Sequence, residues 1–347
     1  MNRQLPWLVY SKEELWISDL HCIKCYQQQG NGHLQEKPKC LRGLQDDVSK
    51  FVVRDSKVVS GCRDGSVFVW DSYTGRVITE FQQLHQYDAQ AVDIHDNVLV
   101  SGSRDHTVQV LKQKISPKSA CIGHFSCSRT SDIAFRRDFV TNAKYKFSFN
   151  ELTVLCVNNL FVFICINIYI ESYTAIGYLG EDLKYGSGML DMKYESPHTL
   201  LTCGYDTCLR LWDTRTNECV KKWEEPFDTA IDCVQSDDDF TMFAGTSRHG
   251  MVRVWDKRQT QPIQMYYTGR KRNSPVYSIA FNHEKLFCAL DIGVQVLDFN
   301  TQQKDYTIAE HDTCSLYNEN FIYFDIEVSN SRLDPGSFTC VHVYLVL

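Results

Sequence analysis

The chain has 347 residues, 43% hydrophobic and 12% aromatic, with 18 glycines and 8 prolines. It therefore carries ample apolar material for a large core and lacks the bias of a disordered chain. A formal charge of −7 and a pI of about 5.9 disfavour nucleic-acid binding, which needs a Lys/Arg-rich face. The opening Met-Asn-Arg-Gln lacks the apolar run of a secretory signal. Fifteen cysteines, an odd number, read as mostly reduced, buried thiols of an intracellular protein, cytoplasmic or nuclear.

The first apolar segments, at 6–9, 14–19 and 23–26, read as short strands. Cys22 and Cys25 form a lone CxxC; without a second ligand pair they are expected on a strand, with no metal bound. Self-similarity then begins. VVRDSKVVSGCRDGSVFVWD (52–71), VDIHDNVLVSGSRDHTVQVL (92–111), LDMKYESPHTLLTCGYDTCLRLWD (190–213), DCVQSDDDFTMFAGTSRHGMVRVWD (232–256) and YSIAFNHEKLFCALDIGVQVLD (277–298) share one order. Each has a strand, a turn, a strand closing on small residues, a tight turn and an alternating strand near Trp-Asp. Trp70 to Leu111 spans 41 positions, Trp212 to Trp255 spans 43 and Trp255 to Leu297 spans 42. That period with a terminal Trp-Asp is the WD-repeat signature, four antiparallel strands per propeller blade.

In Ser66–Trp70 the residues Val67 and Val69 point to one side and Phe68 and Trp70 to the other, which suits a blade covered on both faces. Asp64, Asp105 and Asp206 sit in the turn before this strand, where a carboxylate braces backbone N–H groups. His85, in the loop leading into a blade, is placed to pair with such an Asp within that blade, and Gly123-His124 resembles the Gly-His that opens the next. Trp70, Trp212 and Trp255 are expected in the core.

The N-terminal strands supply one degenerate blade. Another is expected to start near 132–135 and 139–141, within the 101 positions between Leu111 and Trp212. The expectation is an all-β WD-repeat propeller of seven blades over residues 1–305, with one irregular blade around 121–185 and an inserted segment at 136–172. Residues 152–170 are nineteen nearly unbroken apolar positions, close to the length of a membrane span. Their Asn158, Asn159 and Asn167 and β-branched content favour strands. For residues 306–347 the end, Val341–Leu347, is a candidate closing strand, and the segment around Trp7 is the alternative.

The strings LPWLVYSKEELWIS (5–18), MKYESPHTLLTCGYDTCLRLWDTRT (192–216), CVKKWEEPFD (219–228) and SPVYSIAF (274–281) resemble the F-box/WD-repeat proteins of the dactylin type. The resemblance covers 5–120 and 175–300 and is closest over 188–258. It implies substrate reception in an SCF-type ubiquitin ligase, with an F-box ahead of the propeller docking on a Skp-type adaptor. This chain opens at what matches the linker before the first blade, so no F-box is read in it. A WD scaffold in another intracellular assembly is the alternative.

Ring closure would put the Asp turns on one face, where Arg63, Arg104, Tyr205 and Arg248 precede the turn in four blades. Such a rim suits an acidic or phosphorylated peptide, unless each Arg pairs locally or is solvated. The run Arg270-Lys271-Arg272 reads as a solvated loop. No nucleophile elbow, P-loop or HExxH occurs, so the expectation is a protein-binding platform without catalysis or cofactor.

Overall fold

The computed structural model describes residues 6–299 and 339–341, apart from 30–33, 36, 55, 96–97, 106, 113–119, 127–128, 136–150, 158–162, 170–173, 180–187, 238, 269–273 and 292. For the strand residues between 112 and 178 it gives the backbone alone. The described segments alternate short β-branched and aromatic runs with Asp, Gly and Ser turns, the composition of strands, and no helix occurs among them.

The strands fall into seven four-stranded sheets. The first holds β1 (Leu8–Ser11), β2 (Glu14–Asp19), β3 (Cys22–Gln27) and β4 (Lys39–Leu41); the second holds β5 (Val48–Arg54), β6 (Lys57–Cys62), β7 (Val67–Asp71) and β8 (Val77–Phe81). The third holds β9 (Ala89–His95), β10 (Val98–Ser103), β11 (Thr107–Lys112) and β12 (Ala120–Ser126); the fourth holds β13 (Arg129–Phe135), β14 (Glu151–Val157), β15 (Phe163–Tyr169) and β16 (Thr174–Leu179). The fifth holds β17 (Met189–Ser196), β18 (Thr199–Gly204), β19 (Cys208–Asp213) and β20 (Glu218–Glu224). The sixth holds β21 (Ile231–Ser236), β22 (Thr241–Thr246), β23 (Met251–Asp256) and β24 (Pro262–Tyr267). The seventh holds β25 (Ser278–Phe281), β26 (Lys285–Leu290), β27 (Gly293–Asp298) and β28 (Thr339–Val341).

Six sheets are antiparallel meanders in chain order, the form of a WD blade. The seventh differs: β28 lies parallel to β27, with Cys340 opposite Val296. The first strands β1, β5, β9, β13, β17, β21 and β25 touch in that order, and β25 comes back to β1. The architecture is an all-β WD-repeat propeller.

Residues 152–170 fold largely as β14 and β15, with Glu151 opposite Tyr169 and Val157 opposite Phe163. No helix of the described residues is long and apolar enough to cross a membrane. Gly123 and His124, expected to open a blade, instead lie inside β12, because pairing with β11 continues past them to Ser126. The segment 139–141, Arg270-Lys271-Arg272 and most of the tail lie outside the described residues.

The strand alternation explains how the sheets stack. Val67 and Val69 bury with Val59, Ala89 and Val92 against the third sheet, whereas Phe68 and Trp70 bury with Trp16, Ile23 and Leu41 against the first. The seam between the last and first sheets is built alike: Leu8, Ile17 and Tyr26 bury with Ala280, Phe287 and Val296. Ser278 Oγ accepts the Leu8 N–H at 3.2 Å, so a side chain of β25 satisfies the inner edge of β1. Asp191 of β17 does the same for Val234 N–H of β21 at 3.0 Å. Near the axis Lys50 Nζ, from the second sheet, lies 3.9 Å from Asp191 Oδ1 of the fifth and 4.2 Å from the centre of the Trp7 ring.

The small residues closing each second strand have a packing reason. A Cβ on Gly61 would stand 2.3 Å from the Ala89 carbonyl oxygen of the next sheet, and one on Gly245 would stand 2.8 Å from Val276 Cβ. Gly61→Ala is therefore expected to cost about 1–3 kcal/mol, the range for overpacking a tight core. Urea unfolding measures it, and an unchanged midpoint would refute the close approach.

Candidate functional site

The turns joining the second and third strands share one face with the loops that lead into each sheet, and in the second, third, fifth and sixth sheets a backbone bond ties turn to lead-in loop. Arg63 N–H donates to Asp47 O at 2.9 Å, Arg104 N–H to Asp88 O at 3.2 Å and Tyr205 N–H to Gly188 O at 2.7 Å. In the sixth sheet the donor is Ser247, to Ala230 O at 2.9 Å. Ser247 thus holds the place expected of Arg248. The sixth-sheet turn reaches Gly250 before β23 begins, with His249 at φ 62°, and the longer turn moves Arg248 one residue outward.

The two other arginines of the expected rim are engaged locally. Arg63 Nη1 lies 3.2 Å from Asp47 Oδ2 and Arg104 Nη1 lies 3.4 Å from Asp88 Oδ2. Each guanidinium binds the side chain of the same residue whose carbonyl takes its amide, so local pairing describes both. Of the turn carboxylates, Asp64 Oδ1 accepts Ser66 N–H and Asp105 Oδ1 accepts Thr107 N–H, each at 2.9 Å. Asp206 instead pairs with Arg210 of β19.

His85 is fixed at both ends of its loop. Its N–H donates to Gly65 O of the preceding turn at 3.1 Å, while its ring enters the third sheet. Nδ1 lies 3.1 Å from Asp105 Oδ2 and 3.0 Å from Thr107 Oγ1, and Nε2 lies 2.8 Å from Ser101 Oγ. Burial pulls the His85 pKa below its ordinary value, outweighing the pull of Asp105 the other way. A carboxylate only accepts, so the neutral ring carries its proton on Nδ1 and takes the Ser101 hydroxyl at Nε2. Burial pushes the Asp105 carboxyl up, yet the Thr107 hydroxyl, the Gln86 and Thr107 amides and His85 together hold it low. The set is a hydrogen-bond network closed on itself.

Glu225 occupies the equivalent place in the sixth sheet: its N–H donates to Thr207 O of the preceding turn at 2.8 Å. Its side chain runs forward to Arg253 of β23, Oε1 to Nε at 2.8 Å, both buried. The neutral His and anionic Asp of the third sheet are thus replaced by an anionic Glu and a cationic Arg. Sequence reasoning missed this pair, since neither residue matches the His or the turn Asp. A Glu in the lead-in position, with an Arg inside the strand before Trp255, was the available signal. Trp70, Trp212 and Trp255 are buried, and Trp212 Nε1 donates to Thr202 Oγ1 at 2.8 Å.

Other reactive groups do not assemble a site among the described residues. Cys22 and Cys25 lie three apart on β3, which turns them to opposite faces. His21, Asp46 and Asp47 cluster, but Arg63 already takes Asp47. Burial alone pushes the Asp232 carboxyl up to about 7.

A family model for the WD domain, G-beta repeat matches residues 27–71 and 217–256. F-box/WD repeat-containing protein 4 of Mus musculus is 33% identical over 305 residues, 85% of this chain and 71% of that protein. Its Homo sapiens counterpart is 33% identical over 305 residues, 85% of this chain and 70% of that protein. Mitochondrial division protein 1 of Aspergillus clavatus is 24% identical over 59% of this chain and 30% of its own length. The resemblance to the F-box/WD-repeat proteins of the dactylin type, read from residues 5–18, 192–216, 219–228 and 274–281, is borne out.

Because the folded-state pKa of His85 lies below its unfolded value of about 6.5, its contribution is complete above about pH 6.5 and is lost as pH falls through the folded value. The stability gap between the parent and His85→Gln should therefore shrink from about pH 7.5 to about pH 5. Urea unfolding at both pH values checks this, and a constant gap would mean the ring does not titrate in the network.

Proposed function

The chain belongs to the family of F-box/WD repeat-containing protein 4, and from that premise we propose that it receives protein substrates for an SCF-type ubiquitin ligase. The observation that carries the reading is the match itself, 33% identity over 85% of the chain, on a propeller whose turn face holds closed hydrogen-bond networks rather than an assembled catalytic group. The seven sheets are read as the seven blades of one ring, supported by the return of β25 to β1. The family model matches WD repeats at residues 27–71 and 217–256, so docking on a Skp-type adaptor enters this reading from the F-box in the relatives' name. The platform, without catalysis, is these residues' share of the work. An odd number of cysteines in a chain of this size supports an intracellular setting, cytoplasmic or nuclear.

Affinity purification of the endogenous gene product tests the ligase link. A Skp-type adaptor and a cullin should co-purify together with substrate proteins. Recovery of stable partners with neither adaptor nor cullin would replace the receptor by a scaffold of another assembly.

A further inference from the structure

The Glu225–Arg253 pair does more than join loop to sheet. The side chains are 0% and 5% exposed, and Glu225 Oε2 also accepts the amides of Phe227 at 2.8 Å and Thr229 at 3.0 Å. A buried ion pair adds little stability over an apolar replacement, but here the same carboxylate also ties down the loop that follows it. What it holds is Pro226-Phe227-Asp228, with Asp228 at φ 55°. Phe227 is left 41% exposed, its ring centre 4.7 Å from the Arg253 guanidinium.

Two neighbours are fixed beside it by backbone bonds. Thr207 O takes Glu225 N–H, which brings up the turn bearing Tyr205, 54% exposed. Ala230 O takes Ser247 N–H, which brings up Arg248 on the other side. Arg248 is exposed and has no ion-pair partner among the described residues. Arg63, Arg104, Arg210 and Arg253 are neutralised by Asp47, Asp88, Asp206 and Glu225. Among the described residues of the turns and lead-in loops of the fifth and sixth sheets, the arginine not consumed in an ion pair is Arg248.

We infer that Tyr205, Phe227 and Arg248 form a docking site, spanning the fifth and sixth sheets, for a peptide segment of a partner protein that carries a large apolar side chain next to a carboxylate. This rests on the reading of the chain as a protein-binding platform and narrows the four-residue rim to one sector. Tyr, Phe and Arg are the residue types that carry protein interfaces. Loops already locked by Glu225 and by backbone bonds lose little freedom on binding. The polarity follows from charge: Arg248 takes the partner's carboxylate, while exposed Asp228 beside Phe227 repels one there. The apolar side chain then falls between Tyr205 and Phe227.

The probe is a random peptide library displayed on phage, panned against the purified chain. Enriched sequences should carry Phe, Trp, Leu or Met next to Asp or Glu. A fluorescein-labelled synthetic peptide of the enriched sequence should bind about tenfold or more weakly to Phe227→Ala and to Arg248→Glu. It should bind within about twofold of the parent to Phe227→Trp and to Arg63→Ala, with every variant still unfolding in a single cooperative transition. Failure to enrich, a basic consensus, or affinity indifferent to Phe227→Ala overturns the site. Binding that responds to Arg63→Ala but not to Phe227→Ala overturns the sector and leaves the platform standing. The platform itself fails only if the endogenous protein retains no protein partner.

Discussion

The lead-in loop, tied backward by its amide and forward by its side chain, is the constraint on which the ring depends. His85, Glu225 and Thr268 each donate a backbone N–H to the turn of the preceding sheet, at Gly65, Thr207 and Gly250. His85 and Glu225 then enter the following sheet through Asp105 and Arg253. Apolar burial between sheets is strong but non-directional, so it does not by itself set the angle between one sheet and the next. A directional bond at each end of the loop does. The tie tolerates a change of chemistry, neutral His with Asp in one sheet and Glu with Arg in another, because it requires complementarity rather than particular residues.

The same arrangement decides what the turn face can do. Among the described residues, several of its acidic and basic groups are consumed in holding loops: Asp47 with Arg63, Asp88 with Arg104, Asp206 with Arg210. Groups so engaged are poor catalysts and poor ligands, since recruiting one to a partner breaks a bond already made. Binding therefore falls to side chains that the ties present without using, and the sixth-sheet loop presents Phe227 in that way. A platform built so offers recognition by shape and a few fixed charges, which suits the reception of another protein.

Much of the fold was legible because a blade is a local object. A period of 41 to 43 positions, the two-sided alternation of Val67–Trp70 and the Asp turns all lie within one repeat, and each obeys strand and turn stereochemistry. The match with His85 was legible for the same reason, since Asp105 lies 20 positions away in the same repeat. Reading failed where the repeat pattern is followed but its chemistry is exchanged, as at Glu225. It also failed where one extra turn residue shifts the register, as at Arg248, and where a Gly-His pair sits inside a strand rather than before one.

The sequence alone determined that strands of this length, facing apolar neighbours on both sides, recur often enough to need a ring. It also determined which tryptophans are core, because alternation fixes the face a side chain takes. Tertiary structure alone decided which charges remain available. The ion pairs that consume them join residues 16 positions apart, as in Asp47–Arg63, or 28 apart, as in Glu225–Arg253, and the seam joins Leu8 to Ser278 across 270. Periodicity places each residue within its own sheet, but which charges meet depends on how each lead-in loop returns against its own turn, and the seam itself exists only once the ring has closed.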